Sequence, residues 1–148
     1  MSPLQSRITE DVKTAMKAGD KARVNTLRML TAELKQREVV DAVEMTDAVV
    51  IASIEKMIKQ RRDAEKQYRD GGRPELADAE VAEIAVISVY LPKALDDAEL
   101  NALIDQAVRE TGAAGVKDMG KVMAWLKPKA AGRADMGKVS ALIKSRLA

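Results

Sequence analysis

Two stretches of this sequence, Gly115 to Lys121 and Gly132 to Lys138, read Gly-x-x-x-x-Gly-Lys, the spacing of a loop that cradles nucleotide phosphates. Such a loop needs a Ser or Thr after the lysine to hold magnesium, and a strand leading into it. Val122 and Val139 stand where the hydroxyl belongs, and the first copy follows a helical pattern. The nucleotide-loop reading therefore fails. Two readings of the same residues stay open. Each Met-Gly-Lys starts a helix, whose unpaired amides and positive dipole end could hold a phosphate or carboxylate beside Lys121 or Lys138. Alternatively, Asp118 and Asp135 cap those helices and offset the lysines themselves.

Little else here could carry chemistry. Ser53 and Lys56 have the Ser-x-x-Lys spacing of serine acyl-enzymes, but the Ser-Asp-Asn and Lys-Thr-Gly elements that complete such sites are missing. The chain contains no His and no Cys. It thus lacks the commonest general base, the commonest metal ligand and any thiol nucleophile or disulfide. No two carboxylates stand out as an acid/base couple. Neither a catalytic residue, a metal ligand nor a cofactor is expected.

Charge is more informative. Residues 1–112 carry 17 Lys/Arg against 21 Asp/Glu, whereas residues 113–148 carry 8 against 2. This last quarter is a basic segment on an otherwise acidic chain. Its cations Lys117, Lys121, Lys127, Lys129, Arg133, Lys138 and Lys144 are the candidate nucleic-acid-binding residues. Aromatic scarcity limits how they could bind. Tyr68, Tyr90 and Trp125 are the only aromatics, so single-strand readout by stacking is disfavoured, and contact would go to phosphates and folded shape. A second basic run, Lys56, Lys59, Arg61, Arg62, Lys66 and Arg69, is interleaved with Glu55, Asp63 and Glu65. It reads first as a solvated helix face with local ion pairs, and second as an RNA-facing surface.

The elements that position these residues are all helical, since no stretch alternates like a strand. Ser2-Pro3 opens a first helix that Gly19 closes; Asp20 caps a second, striped with Val24, Leu27, Leu30 and Leu34. A third runs from Thr46 to about Asp70, with Val50, Ile54, Met57 and Ile58 inward, and stops at Gly71-Gly72. Pro74 opens a fourth, with Leu76, Ile84, Val86 and Ile87 as core contacts. It must end before Pro92. Asp96 and Glu99 have capping-box spacing, and Leu100, Leu103, Ile104, Ala107 and Val108 stripe a fifth helix that Gly112 closes.

Residues 113–129 and 130–146 then form a tandem repeat, with 10 of 17 positions identical. Each copy supplies a glycine turn, an aspartate and a short helix. Trp125 fills the slot that Leu142 fills in the second copy, which predicts a core role. The expected architecture is all-α, with a helical domain of about four helices over residues 1–92 and a three-helix domain over residues 93–148. A unit that small has a thin core and is expected to lean on a neighbour.

Tyr90-Leu91-Pro92, the Lys117-to-Met123 block Lys-Asp-Met-Gly-Lys-Val-Met, and Gly132-Arg133-Ala134-Asp135 resemble the signature of the YqeY family. One departure is Met136, which stands between Asp135 and the Gly-Lys that the family pattern places directly after it. The resemblance covers essentially the whole chain. It implies an all-helical protein sharing its domain with the tail of the B subunit of the glutamine-dependent aspartyl/glutamyl-tRNA amidotransferase, where the tail helps hold the tRNA body. Family membership is often equated with carbon–nitrogen ligase activity using glutamine as amide donor, but this chain lacks the remainder of that machine.

The leading expectation is a tRNA-binding or amidotransferase-related accessory module without catalytic chemistry of its own. A protein-interaction adaptor and a component of a glutamine-dependent carbon–nitrogen ligase are the alternatives. Expected partners are tRNA or another structured RNA, and an amidotransferase or other protein, with no membrane. Residues 1–13 have no signal-peptide layout and no apolar run reaches the ~18 residues that span a bilayer. A cytoplasmic location is expected from this.

Overall fold

Ser2 has extended backbone, and its hydroxyl accepts from the Gln5 amide at 3.1 Å. Together with Pro3 at the first helical position it starts α1, Pro3–Ala18. The computed structural model describes residues 1–148, and these divide into two compact units, Met1–Leu91 and Pro92–Ala148. Every element is helical.

In the first unit, Gly19 ends α1 in the left-handed conformation (φ 71°), and the Asp20 carboxylate accepts from Arg23 N at 3.1 Å to start α2, Lys21–Lys35. The last turn of α2 widens into a π-helical turn, Gln36–Val40, that the sequence did not signal. It leaves Val39 and Val40 two-thirds exposed, and it leads to Ala42, a non-glycine residue at φ 53°. Thr46 caps α3, Asp47–Asp70, and Pro74 opens α4, Pro74–Ser88. Between them Gly72 supplies the left-handed turn at φ 72°.

Ile8, Leu27, Leu30, Leu34, Val50, Ile54 and Ile87 form the centre of this unit's core. One expected contact is corrected: Leu76 is exposed, and Ala77 is fully buried instead. The phase of α4 explains it, because Ala77, Ile84 and Ile87 share one stripe and Leu76 lies about 100° off it.

In the second unit, Asp96 accepts from Glu99 N at 2.7 Å and starts α5, Asp97–Thr111, which Gly112 ends at φ 67°. A 3-10 turn, Val116–Asp118, runs directly into α6, Met119–Ala130; α7 follows as Met136–Leu147. The repeat register sets the core. Val122 and Val139 occupy one equivalent slot and Leu126 and Ile143 another, and all four are fully buried against Leu100, Ile104 and Ala107. Leu95 N donates to Arg133 O at 2.8 Å, tying the segment before α5 to the turn between α6 and α7.

Candidate nucleic-acid interface

The aspartates of the two repeat copies behave differently. In the second copy the Asp135 carboxylate accepts from Gly137 N at 2.9 Å and caps α7. A Cβ on Gly137 would lie 3.2 Å from that carboxylate, so the turn is closed by its own cap. In the first copy Asp118 makes no cap bond to α6, so the reading in which both aspartates cap their helices holds only for Asp135. The 3-10 turn is the reason: it carries the chain into α6 already wound, and Met119 N bonds Val116 O. Asp118 turns back to accept from Ala114 N at 2.9 Å. That bond, aided by the charges of Lys121 and Lys117, holds its carboxyl below the usual range. Neither Gly-Lys motif is preceded by a strand, and neither has the form of a phosphate cradle.

The seven candidate cations divide in the same way. Of the three in the second copy, Arg133 and Lys138 are engaged by α5 and the segment before it. Lys138 Nζ lies 3.0 Å from Asp97 Oδ1, and Arg146 Nε, not among the seven, lies 2.9 Å from Asp105 Oδ1. Arg133 is half-buried; its Nε donates to Lys93 O at 3.0 Å and a terminal nitrogen sits 3.7 Å from Glu99. Lys144 is exposed and forms no ion pair.

In the first copy, Lys117, Lys121, Lys127 and Lys129 are all exposed. Only Lys121 forms an ion pair, with Asp118 at 3.8 Å, although the charge of Lys117 also acts on Asp118 and that of Lys129 on Glu110. Such exposed pairs contribute little. At about 100° per residue, Lys121 sits mid-arc on the outer side of α6, with Lys127 and Lys129 towards its two edges. The seven residues therefore do not line one face. The basic balance of residues 113–148 is also partly cancelled within the unit: residues 92–148 hold ten Lys/Arg against seven Asp/Glu, five of the seven lying between Asp96 and Glu110.

Sequence reasoning missed a small constellation at the end of α5. Trp125 is partly buried, as its repeat slot predicts, but its indole also reaches outwards. Its Nε1 donates to Glu110 Oε2 at 2.8 Å, Gln106 Nε2 donates to the other carboxylate oxygen at 3.1 Å, and Lys129 Nζ lies 3.9 Å from the ring centroid. The donors from Gln106 and then Trp125 hold the Glu110 carboxyl below its ordinary value. The signal that could have found this is the one large aromatic substituted into an aliphatic repeat position.

In α3 three of the six cations of the second basic run, Arg61, Lys66 and Arg69, form local ion pairs. Arg61 is largely buried with its Nε 3.0 Å from Glu83, and Arg69 bridges Glu65 at 3.1 Å and Asp78 at 3.2 Å. The structure has no group of three or more acidic, His or Cys side chains placed to hold a metal ion. Two open grooves exist, one of ≈ 230 Å³ beside Gln5 and Leu34, another of ≈ 320 Å³ beside Asp105 and Arg146.

With this geometry in place, comparison with known proteins becomes specific. The family described as Yqey-like protein matches residues 5–147. The chain belongs to the YqeY family. Among relatives of this YqeY chain is "Altered inheritance of mitochondria protein 41, mitochondrial" of Pyrenophora tritici-repentis, 27% identical over 129 residues, covering 84% of this chain and 71% of the relative. The protein of the same name from Lachancea thermotolerans is 28% identical over 127 residues, 81% of this chain and 68% of the relative. These names correct the cytoplasmic expectation, because the relatives are named as mitochondrial proteins. That expectation rested on the N-terminal residues and on missing apolar spans, neither of which specifies a compartment. No helix is long and apolar enough to cross a membrane.

Proposed function

We propose that this YqeY-family chain is a non-catalytic module that binds structured RNA, tRNA in the first place, as an accessory to amidotransfer on tRNA. One observation carries the reading: the exposed Lys117, Lys127 and Lys129 of the first repeat copy have no ion-pair partner and Lys121 has only a 3.8 Å one, whereas Arg133, Lys138 and Arg146 of the second copy, the last two also exposed, each meet a carboxylate of α5. Two copies of one sequence have thus been put to different uses. The second docks α7 onto α5, and the first presents cations to solvent. Lys144, in the slot equivalent to Lys127, is likewise exposed on α7 and unpaired. Phosphates are the natural counterpart of such a set, and displacement of their counterions makes binding steeply salt-dependent.

The test is fluorescence anisotropy of labelled tRNA against the purified protein at about 50 and 200 mM salt, a range over which several phosphate contacts weaken binding by orders of magnitude. Saturable binding that collapses at the higher salt, and that disappears in Lys121→Glu/Lys127→Glu, is the expected result. No binding at either salt overturns the reading in favour of a protein adaptor. Consumption of ATP or glutamine by the isolated chain would instead favour the ligase reading.

A further inference from the structure

Trp125 and Lys129 stand out because the repeat provides its own control. In the second copy the equivalent residues are Leu142 and Arg146, and Arg146 is directed to Asp105 rather than to a ring. In the first copy the lysine ammonium sits 3.9 Å from the indole centroid, and the indole is fixed by its bond to Glu110, itself fixed by Gln106. A leucine fills this slot adequately in the second copy, so the indole exceeds what the core requires there.

We infer that Trp125 is a positioning residue that pre-orders Lys129 for contact with an RNA phosphate. This rests on the RNA-binding reading above and specifies one of its contacts. A free lysine loses its rotamer freedom when it engages a phosphate, which subtracts from affinity. Lying over the indole, Lys129 has already given up part of that freedom. Its charge remains exposed, because the ring offers no formal counter-charge. Glu110 accepts from two N–H donors and anchors the ring; the charge of Lys129 acts on its carboxyl only after those two bonds, and no ion pair forms between them. The other exposed lysines of the copy have no such support.

The ligand is the phosphodiester backbone of a folded RNA, and the experiment uses the full chain with labelled tRNA over a series of salt concentrations. Lys129→Gln removes a charge and is expected to lower the slope of log affinity against log salt by about one. Trp125→Leu, the residue the second copy already uses, keeps the charge but frees the lysine. It is expected to weaken binding about five-fold while leaving the slope unchanged. The double variant should bind no worse than Lys129→Gln alone, and Lys129→Arg, which also rests on an aromatic face, should restore affinity.

Trp125 is the only tryptophan, so tRNA should change its emission in the parent protein and far less in Lys129→Gln. Parent-like affinity in Trp125→Leu, or additive losses in the double variant, would overturn the inference while leaving the RNA reading intact. Failure of the parent protein to bind tRNA overturns both. Circular dichroism of each variant checks that the helices are retained; if Trp125→Leu unfolds, Trp125→Met, which fills the slot without a ring face, takes its place with the same expected direction.

Discussion

The Tyr90 hydroxyl donates to Asp11 Oδ2 at 2.6 Å, joining the end of the first unit to its opening helix across 79 positions of sequence. The ring is almost wholly buried, and the Arg7 guanidinium lies 5.0 Å from its centroid. Tyr90 thus closes the four-helix unit, with the phenol oxygen, a carboxylate and a cation in contact around it. Tyr90→Phe preserves the packing and the cation–π contact but deletes a hydrogen bond to a charged acceptor. It should destabilise the first unit by about 2 kcal/mol, read as a shifted urea midpoint. Asp11→Asn, which still accepts a hydrogen bond, should lose less.

The same contact makes the unit sensitive to alkali. Burial, then the bond to Asp11 and its negative charge, push the Tyr90 phenol well above its ordinary value. The neutral form is therefore favoured in the folded state. Its stabilising contribution is complete below the unfolded value of about 10 and is lost as pH rises beyond it. In a Tyr68→Phe background Tyr90 is the sole tyrosine, and its phenolate absorbance should rise together with loss of helical dichroism. Ionisation of a still-folded chain would show that the contact opens without unfolding.

What sequence could reveal here follows from how local each feature is. Ser2, Asp20, Thr46 and Asp96 cap their helices because a cap depends on three or four neighbouring residues. Val24, Leu27, Leu30 and Leu34 are buried because their spacing is the period of the helix. The π-helical turn at Gln36–Val40 carries no such periodicity, so nothing in those residues announces it. The candidate site fared less well for a related reason. A basic segment is visible in sequence, but which lysines stay available depends on carboxylates of α5, such as Asp97 for Lys138, 41 positions away. Of the caps that one reading of the repeat placed at both Asp118 and Asp135, only that of Asp135 forms, because the shared Asp-Met-Gly-Lys-Val is entered from different preceding turns.

Arg61 makes a further prediction. Its side chain is 12% exposed and Glu83's is 30% exposed; the pair lies at 3.0 Å, and a second Arg61 nitrogen donates to Met57 O at 3.3 Å. Arg61→Met removes the charge and leaves Glu83 partly buried without its partner, which should destabilise the α3–α4 pair by about 2–3 kcal/mol. Arg61→Met/Glu83→Gln should recover most of that loss, because neither charge is then stranded. Equal loss in single and double variants would assign the effect to packing of the arginine stem.

The second unit should respond to acid rather than alkali. The Asp96 carboxyl is lowered chiefly by the Glu99 amide, that of Asp118 by the Ala114 amide, and that of Glu110 by Gln106 and then Trp125. Groups lowered on folding stabilise the native state above their unfolded values and cease to do so as pH falls through their folded ones. The window lies below about pH 4, where free Asp and Glu titrate. Amide resonances of residues 92–148 should show weakening protection there, and Asp96→Asn/Asp118→Asn, which keep acceptors without titrating, should flatten the dependence.

The two repeat copies permit one last separation, between cations that hold the unit together and cations that face a ligand. Lys138→Gln and Arg146→Gln break the exposed pairs to Asp97 and Asp105, each contributing at most about 1 kcal/mol. Their combined effect should be a modestly lower melting temperature. They also release two α5 carboxylates next to the proposed RNA-binding copy. The long-range field on RNA thus becomes less favourable at low salt, and screening removes that difference at about 150 mM, where the Debye length is about 8 Å. Lys121→Gln/Lys127→Gln should do the reverse, leaving the melting temperature nearly unchanged and reducing the salt slope of tRNA binding by about two. Paired measurement of melting and salt slope in both double variants decides the assignment. If the α7 pair still weakens tRNA binding at about 150 mM as much as the α6 pair does, the copies share one ligand surface and the division of labour between them is wrong.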